Sequence, residues 1–145
     1  MIRTIYEILT ARKFRHNDPD VGLLKRVGGY WRIEMPKKTL GVSIKIYGSD
    51  RFGPNKESLN NYKKRKDEIE SIWLQCIEAI IEETRNDKGE VRFKADEFIP
   101  AEIIFGPRNK FDIEFTYAFN IISAPNEYGA NVKDGQYENY YSLYG

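Results

Sequence analysis

The stretch from Asn55 to Lys88 limits the possible folds more than any other part of the chain. With Ile69 at zero on a helical wheel, Leu59, Tyr62, Ile69, Trp73, Cys76, Ile77, Ile80 and Thr84 fall within roughly a third of the circumference. Ile72 and Ile81 widen that stripe. So broad an apolar face suits a whole sheet better than a coiled-coil seam. The pattern predicts one long amphipathic helix over residues 55–88, with Asn55 as N-cap, Glu57 in the first turn and Asn86 or Gly89 closing it. Its charges run against the helix dipole. Lys63, Lys64, Arg65 and Lys66 fall early, while Glu78, Glu82 and Glu83 fall late.

The apolar runs outside this stretch alternate as strands do. Trp31, Ile33 and Met35 share one face of a first strand, and Leu40, Val42, Ile44 and Ile46 share one face of a second. A short turn at Pro36-Lys37-Lys38-Thr39 joins them as an antiparallel hairpin. Glu102–Phe105 and Phe111–Ile122 pair across the turn at Gly106-Pro107, the longer run alternating Phe111, Ile113, Phe115, Tyr117, Phe119 and Ile121. Asp134-Gly135 marks a last hairpin. Residues 2–15 suit a short helix, ended by Asn17-Asp18-Pro19-Asp20. The expected architecture is one α+β domain over residues 1–145. It has an antiparallel sheet of five or six strands packed against one long amphipathic helix, with a short N-terminal helix beside it.

Chain length and composition bound the function. At 145 residues with 41% hydrophobic and 31% charged, the chain suits one ordinary globular domain. No apolar run nears the ~20 residues a membrane span requires, so no membrane partner is expected. One cysteine excludes an internal disulfide and points to the reducing cytoplasm. The net charge of +1 conceals a polarity: residues 1–66 hold 16 Lys/Arg against 6 Asp/Glu, and residues 67–145 hold 7 against 16. If the fold keeps these halves apart, its surface has a basic and an acidic end.

Little in the sequence suggests bond-making chemistry. The single histidine, His16, stands beside an Asp-Pro turn, and Cys76 sits on the apolar helix stripe, where a thiol acts as a small hydrophobe. No Cys/His spacing suits a metal and no glycine pattern suits a phosphate loop, so neither cofactor nor enzyme activity is expected. Protein binding fits better. Tyr137, Tyr140, Tyr141 and Tyr144 lie near Glu127, Asp134 and Glu138, and tyrosine gives rigid contact area with a polar tip. Together with Glu78, Glu82 and Glu83 they form a candidate rim for a basic protein surface. The alternative is a nucleic-acid-binding module that uses Lys63, Lys64, Arg65 and Lys66 on phosphates, with Tyr30, Tyr47 and Tyr140 as candidate open-face aromatics.

From about residue 18 onward, several landmarks occur in a familiar order. They are Val21-Gly22-Leu23, Gly29-Tyr30-Trp31, Val42-Ser43-Ile44, Trp73, Asp96-Glu97-Phe98, Phe111-Asp112-Ile113 and Leu143-Tyr144-Gly145. In this the chain resembles small uncharacterised bacterial α+β domains, among which immunity-type proteins neutralise a cognate toxin by binding it. Proteins of that group commonly carry Gly-His before the last hairpin. This chain has Gly129-Ala130, so no role resting on that histidine carries over. The resemblance implies a non-enzymatic immunity protein whose partner is a toxin domain.

Overall fold

The computed structural model describes residues 15–34, 40–49, 53–108, 110–119 and 128–142. In chain order they form β1 (Arg15–Asp18), β2 (Gly22–Val27), β3 (Tyr30–Ile33), β4 (Ser43–Ser49), β5 (Gly53–Pro54), α1 (Lys56–Arg65) and α2 (Ile69–Glu83). A 3-10 turn (Ala95–Glu97) then leads into β6 (Phe98–Arg108), β7 (Phe111–Phe119), β8 (Tyr128–Lys133) and β9 (Gln136–Ser142). The nine strands make one sheet, ordered β1-β2-β3-β4-β6-β7-β8-β9, with β5 paired to the end of β4.

This corrects the expected architecture in two respects. The sheet has nine strands rather than five or six, and it is mixed, because β4 and β6 pair in parallel. A parallel pair needs a long crossover, and the helical stretch supplies it. Two added strands come from residues 15–27. There Asn17-Asp18-Pro19-Asp20 ends no helix but turns β1 antiparallel onto β2. The helix expected over residues 2–15 otherwise lies outside the described residues, as do the turn at residues 36–39 and Met35. Between α2 and the 3-10 turn, the Phe93 ring stacks 4.2 Å from that of Phe119.

A further correction concerns the helix, which is two helices. Asn55 caps α1 as expected, its Oδ1 accepting from the Ser58 N–H at 2.9 Å. The helix ends at Arg65, and a turn through residues 66–68 precedes α2. The break removes the basic half of the charge anomaly, while Glu82 and Glu83 still end α2 against its dipole. Lys63, Lys64 and Arg65 occupy the last turn of α1, and Glu70 lies in the first turn of α2, both favourable to the dipoles. Arg65 Nη1 donates to Glu68 Oε2 across the joint at 3.0 Å.

Both helices keep the predicted apolar stripe against the sheet. Leu59, Tyr62, Ile69, Ile72, Trp73, Cys76, Ile77 and Ile80 are all buried. Tyr62 meets the Phe105 ring edge-on at 5.2 Å, and Trp73 packs on Phe115 at 5.4 Å. The strand residues facing them include Trp31, Ile33, Ile44, Ile46, Ile103, Ile113, Tyr117 and Val132. Ala130 is fully buried in this core.

One ion pair fastens the β1–β2 turn to α1. Asp18 Oδ1 accepts from the N–H groups of Asp20 at 2.9 Å and Val21 at 3.0 Å, while Oδ2 accepts from Lys63 Nζ at 2.9 Å. Burial opposes the charge on Asp18, but Lys63 and the two N–H donors outweigh it and hold the carboxyl below its ordinary value. A carboxyl depressed on folding stabilises above its unfolded pKa and loses that contribution as pH falls through the folded one. Asp18→Ala is therefore expected to cost about 2 kcal/mol near neutral pH, as loss of charged hydrogen bonds does. In urea unfolding the difference from the parent should shrink as pH falls below the ordinary carboxylate value of 3.8. A pH-independent difference would show that the charge plays no part.

Candidate functional sites

Strand order follows chain order, so the charge polarity of the sequence is laid out across the sheet. Register shows how. Arg15 pairs with Lys25, Lys25 with Arg32, and Arg32 with Lys45, placing four cations in one row across β1–β4. The row continues through Ile104, Glu114, Asn131 and Asn139. Paired residues share a face, and this face is the one turned away from the helices. The next row, two residues along, is Val27, Tyr30 and Tyr47. Farther along the sheet the same face carries Glu102, Asp112 and Glu114. Lys45 Nζ joins the two halves by donating to Glu102 Oε1 at 2.8 Å.

The predicted acidic rim falls into two groups. Glu78, Glu82 and Glu83 lie on α2, and the Tyr137 hydroxyl donates to Glu83 Oε2 at 2.8 Å, linking the helix to edge strand β9. Burial and the adjacent Glu83 carboxylate raise the Tyr137 hydroxyl above its ordinary value, so it stays a donor. Tyr140 pairs with buried Ala130 and so faces the helix layer, not the open face expected of it beside Tyr30 and Tyr47, at 37% exposure. Glu138 lies exposed at a register shift on β9.

Tyr141 belongs to the opposite face. Its ring lies over Gly129 and its hydroxyl donates to Glu114. Asp134 sits in the hairpin turn, and its N–H donates to the Asp112 carboxylate. Glu127 and Tyr144 lie outside the described residues. Leu74, which lies off the predicted apolar stripe, is 57% exposed on α2. Its place at i−4 from Glu78 is the signal in the sequence that puts it on the acidic side.

Two of the four cations proposed for nucleic acid are engaged elsewhere. Lys63 binds Asp18 and, at 3.4 Å, Asp20, and Arg65 binds Glu68. Lys64 is exposed and Lys66 half-buried. A cleft of about 350 Å³ opens at the helix joint beside Arg65, Ser71, Gln75 and Gln136. Its polar groups satisfy one another: Gln75 donates to Gln136 at 2.8 Å and accepts the Tyr137 N–H at 3.2 Å. The cleft lies between the start of α2 and the β8–β9 turn.

The remaining reactive groups sit in the core or beside it. Burial pushes the Cys76 thiol up to about 12. His16 lies on β1 rather than in a loop, half-buried and edge-on to Trp31 at 6.4 Å. Among the described residues no group of three His, Cys, Asp or Glu is placed to hold a metal ion, and no helix is long and apolar enough to cross a membrane. Comparison with protein-family models, curated proteins and solved structures finds no match.

Proposed function

We propose that this protein acts by binding another protein, and that the acidic face built from α2 and β9 is the contact surface. The observation that carries the reading is the Tyr137–Glu83 bond, which joins the helix carboxylates and the edge-strand tyrosines into one surface. Exposed Leu74 supplies an apolar contact among Glu70, Glu78 and Glu82, and Tyr140 supplies an aromatic one. A basic, desolvating partner surface complements this arrangement. The resemblance to immunity-type domains supplies the class of partner, a toxin domain neutralised in the cytoplasm by being covered.

Glu82 is partly neutralised already. Two bonds from Arg85, at 2.9 and 3.0 Å, lower its pKa, so it stays ionised at neutral pH while sharing its charge. Glu78 has the freer charge. The test is co-expression with the product of the neighbouring gene, followed by titration of the purified pair. Reversing Glu78, Glu82 and Glu83 to lysine is expected to weaken the complex roughly tenfold or more and to flatten its salt dependence. Tyr140→Ala is expected to weaken it by a similar factor. Unchanged affinity in both variants, or no complex with the parent protein, contradicts the reading.

A further inference from the structure

On the opposite face, we infer that β1–β4 form a binding platform for single-stranded nucleic acid, with Arg15, Lys25 and Arg32 along the phosphates and Tyr30 and Tyr47 beneath the bases. The argument begins with a cost. Like charges directly opposite on neighbouring strands repel, yet Arg15, Lys25, Arg32 and Lys45 occupy four consecutive strands in one register. Lys45 is neutralised by Glu102. Lys25 and Arg32 share the single carboxylate of Glu34, which lies 3.1 Å from Arg32 and 3.8 Å from Lys25. The Lys25 and Arg32 side chains are 41% and 42% exposed, and Arg15 is exposed as well. An excess of cations in a line is costly to the free protein and suited to a linear polyanion.

The neighbouring row decides which polyanion. Tyr30 and Tyr47 are cross-strand partners with ring centroids 6.4 Å apart, and Tyr47 is 38% exposed. They stand two residues along the strands from the cations, about 7 Å away, which is the scale of one nucleotide from phosphate to base. Aromatic rings beside a cationic track are what sequence-tolerant binding of single strands requires. An acidic protein would use the cations but gain little from the rings. Duplex bases are already stacked and cannot lie on them. Beyond β4, Asp112 and Glu114 repel phosphate and confine the strand to this half of the sheet. The surface is separate from the α2–β9 face, and it replaces the Lys63–Lys66 run as the nucleic-acid candidate.

The test is fluorescence anisotropy with labelled oligo-dT and oligo-U of about fifteen nucleotides, at low salt and over a salt series. Binding is expected to weaken with salt, with a log–log slope near −2 for three phosphate contacts. Lys25→Gln with Arg32→Gln should weaken binding at least tenfold and reduce that slope. Tyr47→Ala should weaken it roughly fivefold at unchanged slope, while Tyr47→Phe retains binding. Lys64→Gln with Lys66→Gln should bind as the parent does, and thermal melting checks that each variant is folded. Absence of binding at low salt, equal affinity for duplex, or loss through Lys64 and Lys66 instead would overturn the inference. Loss on removing the cations with no effect of Tyr47→Ala would also overturn it, leaving an acidic protein as the occupant.

Discussion

Trp73→Ala is expected to destabilise the protein by about 4 kcal/mol, the cost of emptying a large aromatic site in a packed core. Trp73 is 4% exposed, and its ring lies 5.4 Å from Phe115 and 5.9 Å from Tyr117, so the hole would open where α2 meets β7. Against a typical total of about 5–15 kcal/mol, that is a large share of the stability. The next residue is the control. Leu74→Ala should change stability by less than about 0.5 kcal/mol, because a leucine 57% exposed leaves little buried contact to lose. Urea unfolding of both variants, with slopes compared, measures the difference. If Leu74→Ala proved the costlier, α2 would be rotated by about one residue, or 100°, from the orientation described.

The second large effect is expected at Gly48, where β4 bends into its pairing with β5. A β-carbon there would lie 2.5 Å from Gly53 O, 2.6 Å from Pro54 Cα and 2.8 Å from Asn55 N. All three are backbone atoms, so relief requires moving the chain that carries the Asn55 cap and starts α1. Gly48→Ala is expected to cost about 3 kcal/mol, the upper range for overpacking. Gly29→Ala is the matched control, since a β-carbon added there would meet nothing within 4 Å and its φ is not left-handed. Thermal unfolding of the pair should separate them clearly. Equal, small shifts would mean that β5 does not close on β4.

The apolar face of the helical stretch and the alternation of β3, β4 and β7 are legible in the sequence, because burial imposes its period on each element separately. The helix break is not read from the sequence, although it leaves a trace in charges that a single helix leaves unexplained. Lys63–Lys66 followed by Glu68 and Glu70 violates the dipole preference of one helix and satisfies that of two. The anomaly marks the boundary. Strand number is harder to read because Arg15–Val27 carries weak alternation, and the Asp18 turn serves a hairpin as well as it would end a helix. The parallel pairing of β4 with β6 is hidden because a hairpin reading joins each strand only to its sequence neighbour.

The candidate sites divide along the same line. Alternation identifies Tyr30 and Tyr47 as facing away from the core, and composition identifies the acidic α2–β9 residues. Neither shows which residue stands opposite which on the next strand. A shift of one residue in β2 would put Arg26 rather than Lys25 on the outer face and change which cation stands between Arg15 and Arg32. Register depends on turn geometry and on packing across the whole sheet, so the row appears only in three dimensions.

That row is best tested by nuclear Overhauser contacts between backbone protons across β1–β4 and β4–β6. The predicted result is antiparallel contacts linking Arg15 with Lys25, Lys25 with Arg32 and Arg32 with Lys45, together with parallel contacts linking Ile44 with Ile103 and Ile46 with Phe105. A set displaced by one residue at β2, or an antiparallel pattern between β4 and β6, would contradict it.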